Sequence, residues 1–323
     1  MAEAQVRCVG LVAVSGRRRT LVRALRAGAL AGGLLVLAGA AACTATPYGA
    51  HRPDPDSSAA RGRGGGDPVA RAGGAKDVYS EYADPEDVPR ESAGVRRAKR
   101  EQAEREREDA QREALSAIRG RRAALSEATR AMLDGLEAGL VEQVNRLRVD
   151  PAGYVVTLDE FRSLYRGQVV EVPGVIAVRT REGTAAVDEA RAYALGAAPV
   201  DAVVRSAGLS HAARAHAFWL SERGQLAHGD SRSASPYLRM ALYGRAEGMY
   251  AEIIGAVYRD PELMIVELFV DDGVESRVHR FNLMGEMFRV VGVGCAPHDR
   301  YQVVCVLDFA EAYYDDVVAA TAQ

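Results

Sequence analysis

The chain has 323 residues, 41 Lys and Arg against 44 Asp and Glu for a net charge of −3, and 48% hydrophobic residues. That length buries a real core in one or two domains. The lack of a basic excess argues against a nucleic-acid binder, because phosphate contact needs clustered positive charge.

Residues 1–42 read as an export signal. Arg17, Arg18, Arg19, Arg23 and Arg26 form a basic region, and AGALAGGLLVLAGAAA then gives an apolar run too short for a stable membrane span. Cys43 follows Ala40, Ala41 and Ala42, where the apolar run stops and a polar stretch begins. This points to lipidation at Cys43, although Ala40 stands where such sites usually carry leucine. The signal holds six arginines against Glu3, so its removal takes the net charge from −3 to −8.

Residues 43–92 are rich in Gly, Ala, Pro, Asp, Ser and Arg, and bury too little apolar surface to fold. They read as a disordered tether between a membrane and the folded part. Residues 93–131 read as a charged helix built from Ala, Glu, Gln and Arg, with opposite charges at helical spacing. Leu115, Ile118, Leu125 and Met132 make a thin seam that Arg122 and Thr129 interrupt, which favours a solvated single helix and a monomer over a coiled-coil dimer.

The globular domain spans residues 132–318. Leu136, Leu140, Val144 and Leu147 share a helical face, and Asp150-Pro151 ends that helix. VVEVPGVIAV is strand-like, and TREGTAAVDEARAYAL reads as a helix capped at or near Thr184. LSHAARAHAFWLSER, 209–223, is amphipathic and stops at Gly224. A short helix follows Ser235-Pro236, and another opens with Asp260 as cap and Pro261 at its first position. Two valine-rich strands, 287–295 and 301–309, form a terminal hairpin around APHDR. In that register Cys295 and Cys305 are offset by four residues, about 13 Å along a strand, which predicts two buried thiols rather than a disulfide. Helices followed by a hairpin predict an α+β fold with an antiparallel sheet.

The densest chemistry lies in VDDGVESRVHRFN, 270–282, a polar stretch between apolar runs. His228 and His279 both follow predicted helices in polar loops, and Glu252 stands among Tyr250, Ala251, Ile253 and Ile254, so its burial demands a partner. The two histidines are the evident candidates. Two imidazoles and a carboxylate also suffice for a divalent cation such as zinc. His216 lies on an apolar face and reads as a satisfied core histidine; His51 and His298 read as solvated. No Walker loop, GxSxG, HExxH or CxxC occurs, and Gly292-x-Gly294 lies within a strand, so it is no nucleotide fingerprint.

An ordered set of segments, NRLRVDPAGY, LSHAARAHAFWL, GQLAHGDS, AEIIG, VDDGVESRVHRFNLMG, VVGVGCAPH and YQVVCVLDFA, resembles a bacterial CAP domain over about residues 135–312. This is the superfamily of cysteine-rich secretory proteins, antigen 5 and pathogenesis-related proteins. The resemblance implies a three-layer α-β-α sandwich with a central antiparallel sheet and a cleft of two histidines and two acids. It places His228 and His279 as metal ligands, Glu252 as one cleft acid, and Asp271 or Asp272 as the other. Arg280 and Asn282 match the run after the second histidine and shape its loop. Val278 replaces the usual glycine before that histidine, and Ala251-Glu252-Ile253 replaces Gly-Glu-Asn.

Three functions compete. The favoured one is an exported cell-envelope lipoprotein, or a secreted protein, that acts as a binding module for a divalent cation and a lipid or glycan, held to a membrane through Cys43. The second is a metal-assisted hydrolase with Glu252 or His279 as the candidate catalytic group; no Ser or Cys stands in a recognisable nucleophile setting, and Ser276 near His279 proves nothing by spacing. The third is a structural protein whose tetrad is a buried polar network. The first two require the histidine rings to face an open cleft.

Overall fold

A computed structural model describes residues 9–15, 92–229 and 235–316. Of the stretch read as an export signal, only β1, Val9–Ser15, falls among them; Cys43 and the tether lie outside. No helix among the described residues is long and apolar enough to cross a membrane.

The helix expected over 93–131 ends earlier, and the next, with the Leu136–Leu147 face, begins earlier. The first, α1, spans Ala93–Ala123, and α2 spans Glu127–Val149. Ser126 separates them as an N-cap, its side chain accepting from the amide of Thr129. Nor is α1 solvated along its whole length. Gln111, Leu115 and Ile118 are buried, Arg107 reaches Asp316 at 2.6 Å, and the Gln111 amide donates to the Leu242 carbonyl. The thin seam packs the second half of the helix on the domain instead of pairing two chains.

Next come α3 (Val155–Ser163), a small antiparallel sheet of β2 (Tyr165–Arg166), β3 (Val169–Val170) and β4 (Val178–Arg179), and α4 (Thr184–Gly196). VVEVPGVIAV therefore forms only two-residue strands. Gly183 precedes α4, with no side-chain cap. After β5 (Val204–Arg205), α5 (Ala207–Arg223) ends at Gly224 in the left-handed region, where glycine is favoured. Then follow α6 (Pro236–Tyr243), β6 (Gly244–Ala256) and α7 (Pro261–Val270), with the Asp260 carboxylate accepting from the amides of Glu262 and Leu263. The chain closes with α8 (Val278–Leu283), β7 (Val290–His298) and β8 (Gln302–Asp315).

The main sheet runs β1-β6-β8-β7-β5. It is antiparallel except at one edge, where β5 lies parallel to β7. Its two faces carry different layers. Ala251, Ile253, Val291, Val293, Leu307 and Phe309 join the larger core with Leu133, Leu140, Val144 and Leu147 of α2 and Ile265, Leu268 and Phe269 of α7. Ile254, Val304 and Val306 face Ala213, Ala217 and Leu220 of α5. Period-two alternation along each strand sends neighbours to opposite layers, and the result is the α-β-α sandwich.

Two glycines set the approach of α5. A Cβ on Gly292 would stand 2.1 Å from the Leu209 carbonyl carbon, and one on Gly294 2.1 Å from the Arg214 amide nitrogen. The VGVG run is a groove for a helix backbone.

The hairpin differs from its expected register. His298 pairs with Gln302, so the turn is centred on Arg300, two residues later than APHDR suggested. Cys295 then lies directly opposite Cys305, with Cα atoms 4.1 Å apart, and the two form a disulfide. The expectation of two thiols is corrected by this shift. His298 is buried rather than solvated, its Nδ1 accepting from the amides of Arg300 and Tyr301.

Candidate functional site

The site residues fall into two imidazole–carboxylate pairs on different supports. The first is built on β6. Glu252 sits mid-strand on the α5 side of the sheet and is fully buried. Nδ1 of His228, in the loop after α5, donates to Oε1 of Glu252 at 2.6 Å. Arg239, from α6, donates Nη2 to Oε2 of the same carboxylate. His216 of α5 stands 3.8 Å from Oε1 and spends its Nε2 proton on the Ala227 carbonyl at 2.8 Å. Burial lowers the pKa of His216 to about 4, more than the nearby Glu252 charge can offset, so the ring is neutral at neutral pH. The reading of His216 as a satisfied core histidine agrees with this placement.

Asp308 completes this group and was not singled out in the sequence. It lies opposite Glu252 on β8, fully buried. Burial and then the Glu252 charge push its carboxyl well above the usual range. Burial would also raise Glu252, but the His228 hydrogen bond and the Arg239 charge outweigh it and hold that carboxyl down. One buried acid is therefore ionised and its neighbour keeps its proton. Arg239 was likewise missed. Nothing in SPYLRMALY marks it, since its partner is contributed by another element.

The second pair occupies the turn from α7 into α8. Asp271 ends α7 with a left-handed backbone, φ 58°. Its Oδ1 accepts from His279 Nδ1 at 2.5 Å, and its Oδ2 from the His279 amide at 2.9 Å. Both residues are buried. The two candidate second acids are thus separated in role. Asp271 orients the histidine, whereas Asp272 turns away and accepts from the amides of Arg181 and Glu182, pinning the loop before α4.

The arginines of VDDGVESRVHRFN stitch this turn together. Arg277 binds Glu182, Glu189 and the Asp271 carbonyl. Arg280 donates to the carbonyls of Phe269 and Val270 and to Glu189. Asn282 is buried in the same short helix.

An ionised carboxylate only accepts, so at Glu252 the His228 proton sits on Nδ1 and Nε2 carries the lone pair. That Nε2 is buried with no hydrogen-bond partner among the described residues. A carboxylate on Nδ1 is the outer-shell arrangement that orients a metal-bound imidazole, so His228 and His279 have the chemistry of cation ligands. The number falls short, because among the described residues no group of three His, Cys, Asp or Glu side chains is placed to hold a metal ion. Other ligands to any cation would have to come from water or from the bound molecule. His228 gives access, with 11% of its side chain exposed, while Glu252, Asp271 and His279 are sealed. Residues 230–234, just beyond His228, lie outside the described residues.

No curated protein and no solved structure matches the chain. The model of the CAP family, described as the cysteine-rich secretory protein family, matches residues 141–309. That match takes in both pairs and every strand from β5 to β7, and it covers more than half of the sequence; the chain belongs to the CAP family.

Proposed function

We propose that this is an exported, lipid-anchored CAP-domain protein that serves as a binding module at the cell envelope. Family membership supports the extracellular setting, and the apolar run ending at Cys43 supports the anchor. The observation that carries the binding reading is the pair of imidazoles, each fixed at Nδ1 by a buried carboxylate. A ring oriented in this way can give Nε2 to a divalent cation or to a polar group of a lipid or glycan, and His228, the partly exposed one, is the point of access.

Hydrolysis is the weaker reading. A general base works best with a pKa near the working pH, and Glu252 is held far below that, with His228 on one oxygen and Arg239 on the other. Its deep burial also keeps it from a substrate water.

The test is calorimetric zinc titration of the whole chain beside His228→Ala and His279→Ala. Saturable binding lost in both variants is expected. Unchanged stoichiometry in both would sink the cation reading and leave the pairs as internal braces.

A further inference from the structure

One cavity of the folded unit lies away from His228 and His279. It encloses about 970 Å³ between α1, the start of α2, and α5, and none of His228, Glu252, Asp271 or His279 lines it. Its wall holds Arg119, Arg122, Arg130, Arg205 and Arg214, with Leu115 and Ile118 as an apolar side.

The charge there is unbalanced. Glu137, fully buried on α2, accepts from Arg122, Arg205 and Arg214. Asp134 takes a second hydrogen bond from Arg122. Five guanidinium groups thus face two carboxylates, an excess of three positive charges in a chain whose net charge is −3. Glu137 anchors the fans of three arginines from behind and fixes their direction, so donors are pre-arranged. Nη1 of Arg205 and of Arg214 is not used in any of these bonds. No hydrogen bond or ion pair joins the Arg119 guanidinium to another described residue.

We propose that this cavity is a binding site for a phosphate-bearing ligand. A single carboxylate would leave most of the excess charge unmatched, whereas a phosphate ester or diphosphate supplies two or more charges and several acceptor oxygens to forked donors. Arg119 and Arg122 come from α1, and Arg205 and Arg214 from β5 and α5, so the ligand clamps the charged helix onto the domain. The site is independent of the histidine pairs.

Inorganic pyrophosphate is the probe, titrated by calorimetry into the whole chain, with Arg119→Ala, Arg119→Ala/Arg205→Ala and Arg97→Ala beside it. Among the described residues Arg97 pairs only with Glu101, at the exposed start of α1, and serves as the control. Saturable binding is expected, weakened about tenfold or more in the double variant, since each charge-assisted hydrogen bond is a factor of this size. Arg119→Ala removes no hydrogen bond or ion pair among the described residues, so a thermal midpoint matching the wild type is expected beside its weakened binding. No saturable binding, or equal weakening in Arg97→Ala, overturns the proposal. Flotation with phosphatidylglycerol and phosphatidylcholine vesicles, in a Cys43→Ser background, tells the sources apart. Retention on phosphatidylglycerol that pyrophosphate and Arg119→Ala both reduce assigns a lipid headgroup. Pyrophosphate binding without such retention assigns a soluble phosphate compound.

Discussion

At the residue scale the decisive feature is the opposite protonation of Glu252 and Asp308. The two residues pair across β6 and β8 and both are fully buried, so ionising both is strongly disfavoured. Linkage gives the two groups opposite signs. Glu252, with its folded pKa lowered, contributes stability above its unfolded pKa that is lost as pH falls through the folded value. Asp308, with its folded pKa raised, contributes stability that is full below its unfolded pKa and is lost as pH rises toward the folded value. Asp308→Asn keeps a neutral donor beside Glu252 and removes that loss. The variant is expected to match the wild type in thermal midpoint near pH 3.5 and to exceed it increasingly toward pH 7, by about 1 kcal/mol or more. A constant difference across this range would show that Asp308 is not the protonated partner. Burial of Glu252 was legible because four apolar or aromatic neighbours surround it in sequence. Asp308 and Arg239 were not, since their roles come from cross-strand register and from a separate helix.

At the element scale the β7–β8 hairpin shows how a two-residue shift changes chemistry. Both strands were legible from their valines, but the turn was not. Pro297 looks like turn punctuation, yet it lies within β7 opposite Val303. With the turn centred on Arg300, Cys295 and Cys305 meet and close a loop of ten residues' separation. Constraint of the unfolded chain by a loop of this size is worth about 2–3 kcal/mol. Cys295→Ala/Cys305→Ala is therefore expected to lower the melting temperature by about 5–10 °C, and a reducing agent is expected to do the same to the wild type. A wild-type midpoint indifferent to reductant would restore the two buried thiols. The helices α5 and α7 were legible because their stops and caps, Gly224 and Asp260, act locally. β6 was not. Gly244, Ala246 and Gly248 hide its alternation, and only pairing with β8 makes it a strand.

At the scale of the whole molecule, the order of helices and hairpin was enough to give an α+β fold with an antiparallel sheet, and the layers of the sandwich came from the family resemblance; the edges of the sheet were beyond reach because edge strands depend on partners far away in sequence. One edge, β5, is two residues long. The other is β1, which lies within the stretch read as an export signal and runs antiparallel to β6 from Val9 opposite Ile254 to Ser15 opposite Gly248. Leu11 stands across from Glu252, and β1 also touches α8, the helix that carries His279. The N-terminal strand thus lies against the supports of both imidazole pairs. Removing residues 1–42 takes this strand away and leaves a row of β6 backbone donors and acceptors unpaired. Such an edge must be solvated or take another strand or ligand, because backbone groups do not stay orphaned. In a chain beginning at Cys43, alternate amides between Met249 and Ile254 are expected to exchange hydrogen about tenfold faster or more than in the full chain, while amides of β8 facing β7 keep their protection. Equal exchange in the two chains would mean that β1 does not guard this edge. Faster exchange confined to β6 would mean that loss of residues 1–42 uncovers the edge beside Glu252 and His279.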